Sequence, residues 1–160
     1  MAVVEEIRAA NERYVAGFGK GELPMPPARR FAVVTCMDAR LDPAKFLGLA
    51  EGDAHVIRNA GGVVSDDALR SLVISHHLLG TQEAIVIGHT DCGMLTFRNE
   101  DLHERLGPPA QEIDFLPFPD VPERVRESLR RIEESPLLPD SYRATGFVYD
   151  VRSGRLDPVG

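Results

Sequence analysis

Short runs of β-branched residues that each end in a cysteine, an aspartate or a histidine leave a chain few ways to fold. Two such runs dominate this sequence. Residues 31–40, FAVVTCMDAR, form an apolar stretch that delivers Cys36, Asp38 and Arg40 at alternate positions. Residues 84–93, AIVIGHTDCG, do the same with His89 and Cys92. Continuous apolar runs of this length, bounded by polar residues, read as strands buried on both faces. A further strand is expected over residues 54–58, followed by Asn59, Ala60, Gly61 and Gly62.

Helical patterns separate the strands. Ser65 is placed to cap a helix whose first turn carries Asp66 and Asp67, suited to its positive end. Ala68, Leu69, Leu72, Val73 and Leu79 form its apolar side, and Gly80 ends it. Asp42-Pro43 fits the start of a short helix, with Asp as cap and Pro at the first position. Residues 120–134 form a strongly amphipathic helix with Val121, Val125, Leu129 and Ile132 on one face. Asp120 and Glu123 stand at capping-box spacing. Near the N-terminus, Val3, Ile7, Ala10, Tyr14 and Phe18 recur at helical spacing until a cluster of Gly17, Gly19 and Gly21. The proline-rich stretch after it reads as a surface connector; the alternative is that helix and arm lie across a neighbouring subunit. Residues 98–118 read as short helix and loop. Residues 146–151 read as a last strand, and residues 155–159 as an edge strand with Pro158 at the rim. The expectation is one α/β domain over residues 1–160, with a mainly parallel central sheet flanked by helices, an N-terminal helix and an antiparallel C-terminal edge strand. Its parts are a helix and arm (1–30), a metal-site core (31–96), and a helical segment with the last strands (97–160).

A chain of 160 residues with a net charge of -7 is poorly suited to nucleic acid or to an anionic membrane surface. No stretch approaches the roughly 20 apolar residues that span a bilayer. The acidic N-terminus reads as neither secretory signal nor anchor. A cytoplasmic setting is therefore expected, where thiols stay reduced. There are two cysteines, and in that compartment cysteines beside His and Asp point to metal or catalysis more than to cross-linking.

In a parallel sheet, ligand sites gather beyond the carboxyl ends of the strands, where Cys36 and His89 both lie. Cys92, three residues after His89, can fold back onto the same ion. Two thiolates and an imidazole are three good zinc ligands, and a catalytic zinc commonly keeps a fourth position open. Zinc is favoured over iron or copper because it accepts mixed sulfur and nitrogen in a tetrahedron without redox chemistry. Singly, each residue has a plainer reading: Cys36 as a small buried hydrophobe, His89 as a hydrogen-bonded core histidine, Asp38 and Arg40 as a surface ion pair. One scaffold that explains them all together is the better account.

The motifs CMDAR and HTDC resemble those of the β-class carbonic anhydrases. The similarity runs over about residues 31–96, with HVIRNAGG and the Ser65 helix in the family's order. The resemblance implies a single zinc ion (Zn2+) per chain, with Cys36, His89 and Cys92 as its ligands and Asp38-Arg40 as the family's Asp-Arg pair. Asp38 either accepts a hydrogen bond from a zinc-bound hydroxide or ligates the metal itself, and Arg40 decides between the two. The implied reaction is reversible hydration of carbon dioxide to bicarbonate, in a homodimer or larger homo-oligomer. Gly61 and Gly62 are expected to let the backbone pass near the site, as candidates for substrate binding, or else to form a plain turn. Short members of the superfamily also include carbonyl sulfide hydrolases, so hydrolysis of carbonyl sulfide or carbon disulfide stands beside the leading reading. A non-catalytic zinc-stabilised module and a thiol redox protein using Cys36 and Cys92 are further alternatives. The latter lacks C-x-x-C spacing. Asp91 reads as a solvated or capping residue, His55 and His103 as structural or exposed, and His76-His77 as helix neighbours pointing different ways. Arg58 is a candidate for pairing across an interface.

Overall fold

A computed structural model describes residues 2–160. Its centre is a five-stranded sheet of order β2-β1-β3-β4-β5. The strands are β1 (Phe31–Cys36), β2 (His55–Asn59), β3 (Glu83–His89), β4 (Arg143–Tyr149) and β5 (Leu156–Val159). The first four are parallel, and β5 pairs antiparallel with β4. The parallel sheet with an antiparallel edge is thus the architecture expected from sequence. Every residue of β1 is buried, as a strand covered on both faces requires. Pro158 sits on β5, the outermost strand, where a missing N–H is tolerated.

Five α-helices complete the chain: α1 (Val3–Val15), α2 (Pro43–Phe46), α3 (Asp66–Leu79), α4 (Asn99–Leu106) and α5 (Val121–Glu133). Local chemistry explains their ends. The Asp42 and Ser65 side chains accept hydrogen bonds from the Lys45 and Ala68 amides, and Gly80 closes α3 at φ 77°. Asp120 Oδ1 accepts from the Glu123 amide at 2.7 Å. The reciprocal half of the expected capping box does not form, because Glu123 turns its carboxylate to Arg126 and Arg130 instead.

Alternation along the strands sorts the core into two faces. Ala32, Val34, Ala84 and Val86 meet Ala68 and Leu72 of α3 and Val125 and Ile132 of α5. Phe31, Val33 and Ile87 meet Phe46, Leu47 and Leu49 around α2, where Phe46 stacks on Tyr149 with ring centroids 4.4 Å apart. β4 begins at Arg143, three residues earlier than its pattern suggested. Gly146 looks like a strand start, but it lies inside the strand: a Cβ there would stand 2.6 Å from Val125 Cγ1 and 2.9 Å from Leu129 Cδ1. The glycine marks close approach of α5 to the sheet.

The amphipathic α1 behaves differently, since it buries none of its residues. Ile7 is 61% exposed and Phe18, beyond the helix end, 51%, so among the described residues the apolar stripe read from the sequence stays open. Among the described residues no helix is long and apolar enough to cross a membrane.

Candidate metal centre

The strand order places β1 and β3 side by side at the point where the chain, having gone outward from β1 to β2, returns past β1 to β3. This is the switch point at which open parallel sheets bind ligands. Cys36 ends β1 and His89 ends β3. The buried Thr35 hydroxyl donates to the Ile87 carbonyl at 3.0 Å, tying the two strands one residue before Cys36 and two before His89. Cys92 follows on a turn that Thr90 anchors to β4 and the loop after it. The Thr90 amide donates to the Tyr149 carbonyl, and its hydroxyl accepts from the Val151 amide.

One ligand atom from each of Cys36, His89 and Cys92 lies within 4.8 Å of the other two, and all three residues are buried. The histidine is prepared for a metal. His89 Nδ1 is 2.8 Å from the Thr90 carbonyl oxygen and donates to it, which leaves Nε2 with a free lone pair. That Nε2 is buried and has no hydrogen-bond partner. An orphaned buried acceptor is costly, on the order of 1–3 kcal/mol, unless something occupies it. A divalent ion facing two sulfurs and this nitrogen meets that need, and the donor set is the one zinc prefers.

The adjoining Cys92 and the amides of Asp38 and Gly61 lower the Cys36 thiol well below its ordinary range, against the effect of burial. Beside Cys36, Cys92 is pushed well above the usual thiol range, and burial adds to the rise. Burial disfavours a charged His89, yet the Cys36 thiolate and the Thr90 carbonyl outweigh it and raise the imidazole. The pocket thus holds negative charge at sulfur that a cation neutralises.

Asp38 stands beside the triad, with Oδ2 3.8 Å from His89 Nε2. Both carboxylate oxygens are taken by Arg40: its Nε donates to Oδ1 at 3.0 Å, its Nη2 to Oδ2 at 2.8 Å and its amide to Oδ1 at 2.9 Å. These bonds hold the Asp38 carboxyl far below the ordinary carboxylate range. A depressed folded pKa means the pair's contribution is complete above the unfolded value near ~3.9 and is lost only as pH falls through the lower folded value. Across neutral and alkaline pH, Asp38 remains ionised.

Other residues hold this arrangement in ways the sequence did not suggest. Arg58 braces the end of β1, donating to the carbonyls of Cys36 and Asp38 at 2.9 and 2.8 Å. Asn59 closes the glycine loop by bonding Val63 through both ends of its amide. The Gly61 amide donates to Cys36 Sγ at 3.4 Å. Gly62, at φ 64°, lies so close to β1 that a Cβ would stand 2.8 Å from Cys36 N. The glycine pair expected near the site therefore lies against Cys36. Asp91, expected to be solvated or capping, is exposed, but its carboxylate accepts from Arg40 Nη1 at 2.8 Å. No local pattern announces a contact between residues so far apart in sequence. The remaining histidines are engaged elsewhere: His55 with Ser75, His76 with the Thr81 carbonyl, His77 with the Leu137 carbonyl and His103 with the Ile113 carbonyl.

Comparison with known proteins agrees with this geometry. The sequence model of the carbonic anhydrase family matches residues 31–114. The chain is 50% identical over 165 aligned positions to a protein named β-carbonic anhydrase 1 from Mycobacterium tuberculosis, covering 99% of both chains. It is 37% identical to a carbon disulfide hydrolase from Acidianus, covering 82% of this chain and 78% of that one. The crystal structure of a carbonic anhydrase from Streptococcus mutans superposes with a TM-score of 0.93 at 48% identity, covering 100% of this chain and 99% of that one.

Proposed function

The chain belongs to the β-class carbonic anhydrase family, and from that premise we propose that Cys36, His89 and Cys92 hold a zinc ion on which carbon dioxide is reversibly hydrated to bicarbonate and a proton. The observation that carries this reading is the unpartnered, buried His89 Nε2 facing two cysteine sulfurs. When bound, zinc supplies an acidified water as the nucleophile, and two thiolate donors leave that water less acidic than the value of about 7 reached on an all-histidine site. The chain's own groups do the rest. Asp38, kept ionised by Arg40, accepts the proton of the attacking oxygen in a hydrogen bond and aims its lone pair at carbon. Arg40 keeps the Asp38 carboxylate directed away from the fourth metal position. Met94, Val63 and Phe118 pack around the two cysteines and keep bulk water from the sulfurs.

Hydration by the zinc-loaded protein is expected to rise from neutral into alkaline pH. Asp38→Ala should retain zinc while losing on the order of 10²-fold in kcat, the contribution of a positioned proton acceptor. Stopped-flow hydration with parallel metal analysis checks both. Loss of zinc together with activity would instead make Asp38 a closing fourth ligand of a structural site. Carbon disulfide and carbonyl sulfide offer the same electrophilic carbon, so their turnover belongs in the same assay. Higher identity and fuller coverage favour carbon dioxide as the preferred substrate.

We further infer a homodimer or larger homo-oligomer, working in the cytoplasm where the cysteines stay reduced. The exposed apolar side of α1, with Val3, Ile7 and Tyr14, and Phe18 just beyond it, is the surface a second copy would cover. An Ile7→Glu variant is expected to sediment as a smaller species than the parent protein. Unchanged mass would mean that α1 plays no part in assembly.

A further inference from the structure

We propose that Asp91 is a positioning residue of the metal centre, fixing the Arg40 guanidinium and through it the stance of the Asp38 carboxylate. The inference deepens the proposed function, and its kinetic arm rests on that reading.

Arg40 carries its side-chain donors in a rigid planar fork. Nε and Nη2 are directed to Asp38, as described. The other side of the fork meets Asp91, where Nη1 donates to Oδ2 at 2.8 Å and Nη2 donates to the backbone carbonyl, also at 2.8 Å. The guanidinium is thus clamped between two aspartates. Asp38 follows Cys36 on the first ligand loop, while Asp91 lies between His89 and Cys92 on the second. Arg40 is therefore the strut that joins the two loops from which the three ligands come.

Without Asp91 the strut would be weakly held. The Arg40 side chain is 46% exposed, and with Asp38 and the backbone carbonyl of residue 91 as its remaining partners, Nη1 would be left without an acceptor and the guanidinium freer to turn. The backbone of Asp91 points the same way. Its φ of 55° falls in the left-handed region, which side-chain-bearing residues rarely adopt and which Asp tolerates better than most. Glycine would meet the conformational demand alone. Among the described residues the Asp91 carboxylate caps no backbone amide, and its one recorded partner is Arg40. The carboxylate is therefore used on the guanidinium.

The consequence follows from distance. Asp38 Oδ2 is 3.8 Å from His89 Nε2, the nitrogen facing the metal site. A small rotation of a loosened Arg40 frees that oxygen to turn toward the metal and fill the fourth position. Asp91, acting through Arg40, favours the open arrangement.

The test uses the cobalt(II)-substituted full-length protein and three variants: Asp91→Ala, Asp91→Asn and Asp91→Gly. Visible absorption of cobalt reports whether the fourth position changes its donor. Asp91→Ala and Asp91→Gly are expected to alter that spectrum at neutral pH. In the zinc form they should lower kcat on the order of tenfold, with KM changed by less than about twofold. Asp91→Asn, which keeps an oxygen for Arg40 Nη1, is expected to return toward the parent on both measures. The glycine variant separates backbone strain from the carboxylate: glycine matching the parent would overturn the proposal, as would an alanine variant with parental spectrum and kcat. Should the alanine variant take up no cobalt, the glycine and asparagine variants decide. If the parent zinc protein fails to hydrate carbon dioxide, the function is wrong, and the cobalt spectra still test the role of Asp91.

Discussion

His89→Ala is expected to purify with little zinc and to hydrate carbon dioxide no faster than buffer, while keeping its secondary structure. The imidazole is 1% exposed and ends the central strand β3. Its Nδ1 is committed to the Thr90 carbonyl, so Nε2 is the atom left to bind. Removing it leaves two sulfurs, and a pair of thiols grips zinc far less well than a full tripod. The fold should survive because two effects oppose each other. The side chain's packing is lost to a cavity, but a buried nitrogen with no partner is lost as well. Metal analysis, circular dichroism and a hydration assay on one preparation read all three outcomes. A His89→Ala protein that keeps its zinc would remove the imidazole from the ligand set.

Gly62→Ala should be the most damaging single methyl in the site region. Its φ of 64° already makes a side chain costly, by about 1–2 kcal/mol. The added Cβ would also lie 2.8 Å from Cys36 N and from Thr35 C, backbone atoms of the central strand that cannot rotate aside. Overpacking of this kind adds about 1–3 kcal/mol. Together these predict a loss of about 2–5 kcal/mol in denaturant unfolding, and a displaced Cys36 that weakens metal binding. Gly61→Ala is a useful contrast, because the nearest atom is Phe118 Cε1 on a side chain that can turn. It should cost less stability. Equal and small effects at both positions would show that the loop does not press on β1.

What the sequence made legible, and what it did not, divides along physical lines. Strands buried on both faces show as unbroken apolar runs, so β1 and β3, with Cys36 and His89 at their ends, could be read directly. The Asp42, Ser65 and Asp120 caps were visible because a cap is local chemistry. Glu123 had the right spacing for its reciprocal bond but found two arginines on its own helix. Gly146 was mistaken for a boundary because close approach of α5 is a tertiary fact. Arg58 and Asp91 went unrecognised for the same reason. Arg58 reaches from β2 to the end of β1 and Asp91 reaches Arg40 from the loop after β3, and neither lies in a periodic pattern that would announce it. The stripe on α1 was read correctly as a stripe, but a single chain cannot reveal what covers it.

The central claim is that one zinc ion is held by two sulfurs and one imidazole drawn from the ends of neighbouring strands. Zinc-edge X-ray absorption of the purified protein tests it most directly. The predicted shell contains two sulfurs near ~2.3 Å and light-atom ligands, one of them imidazole, near ~2.0–2.1 Å. A shell of nitrogen and oxygen alone, or a protein that takes up no zinc while both thiols stay free, would contradict it.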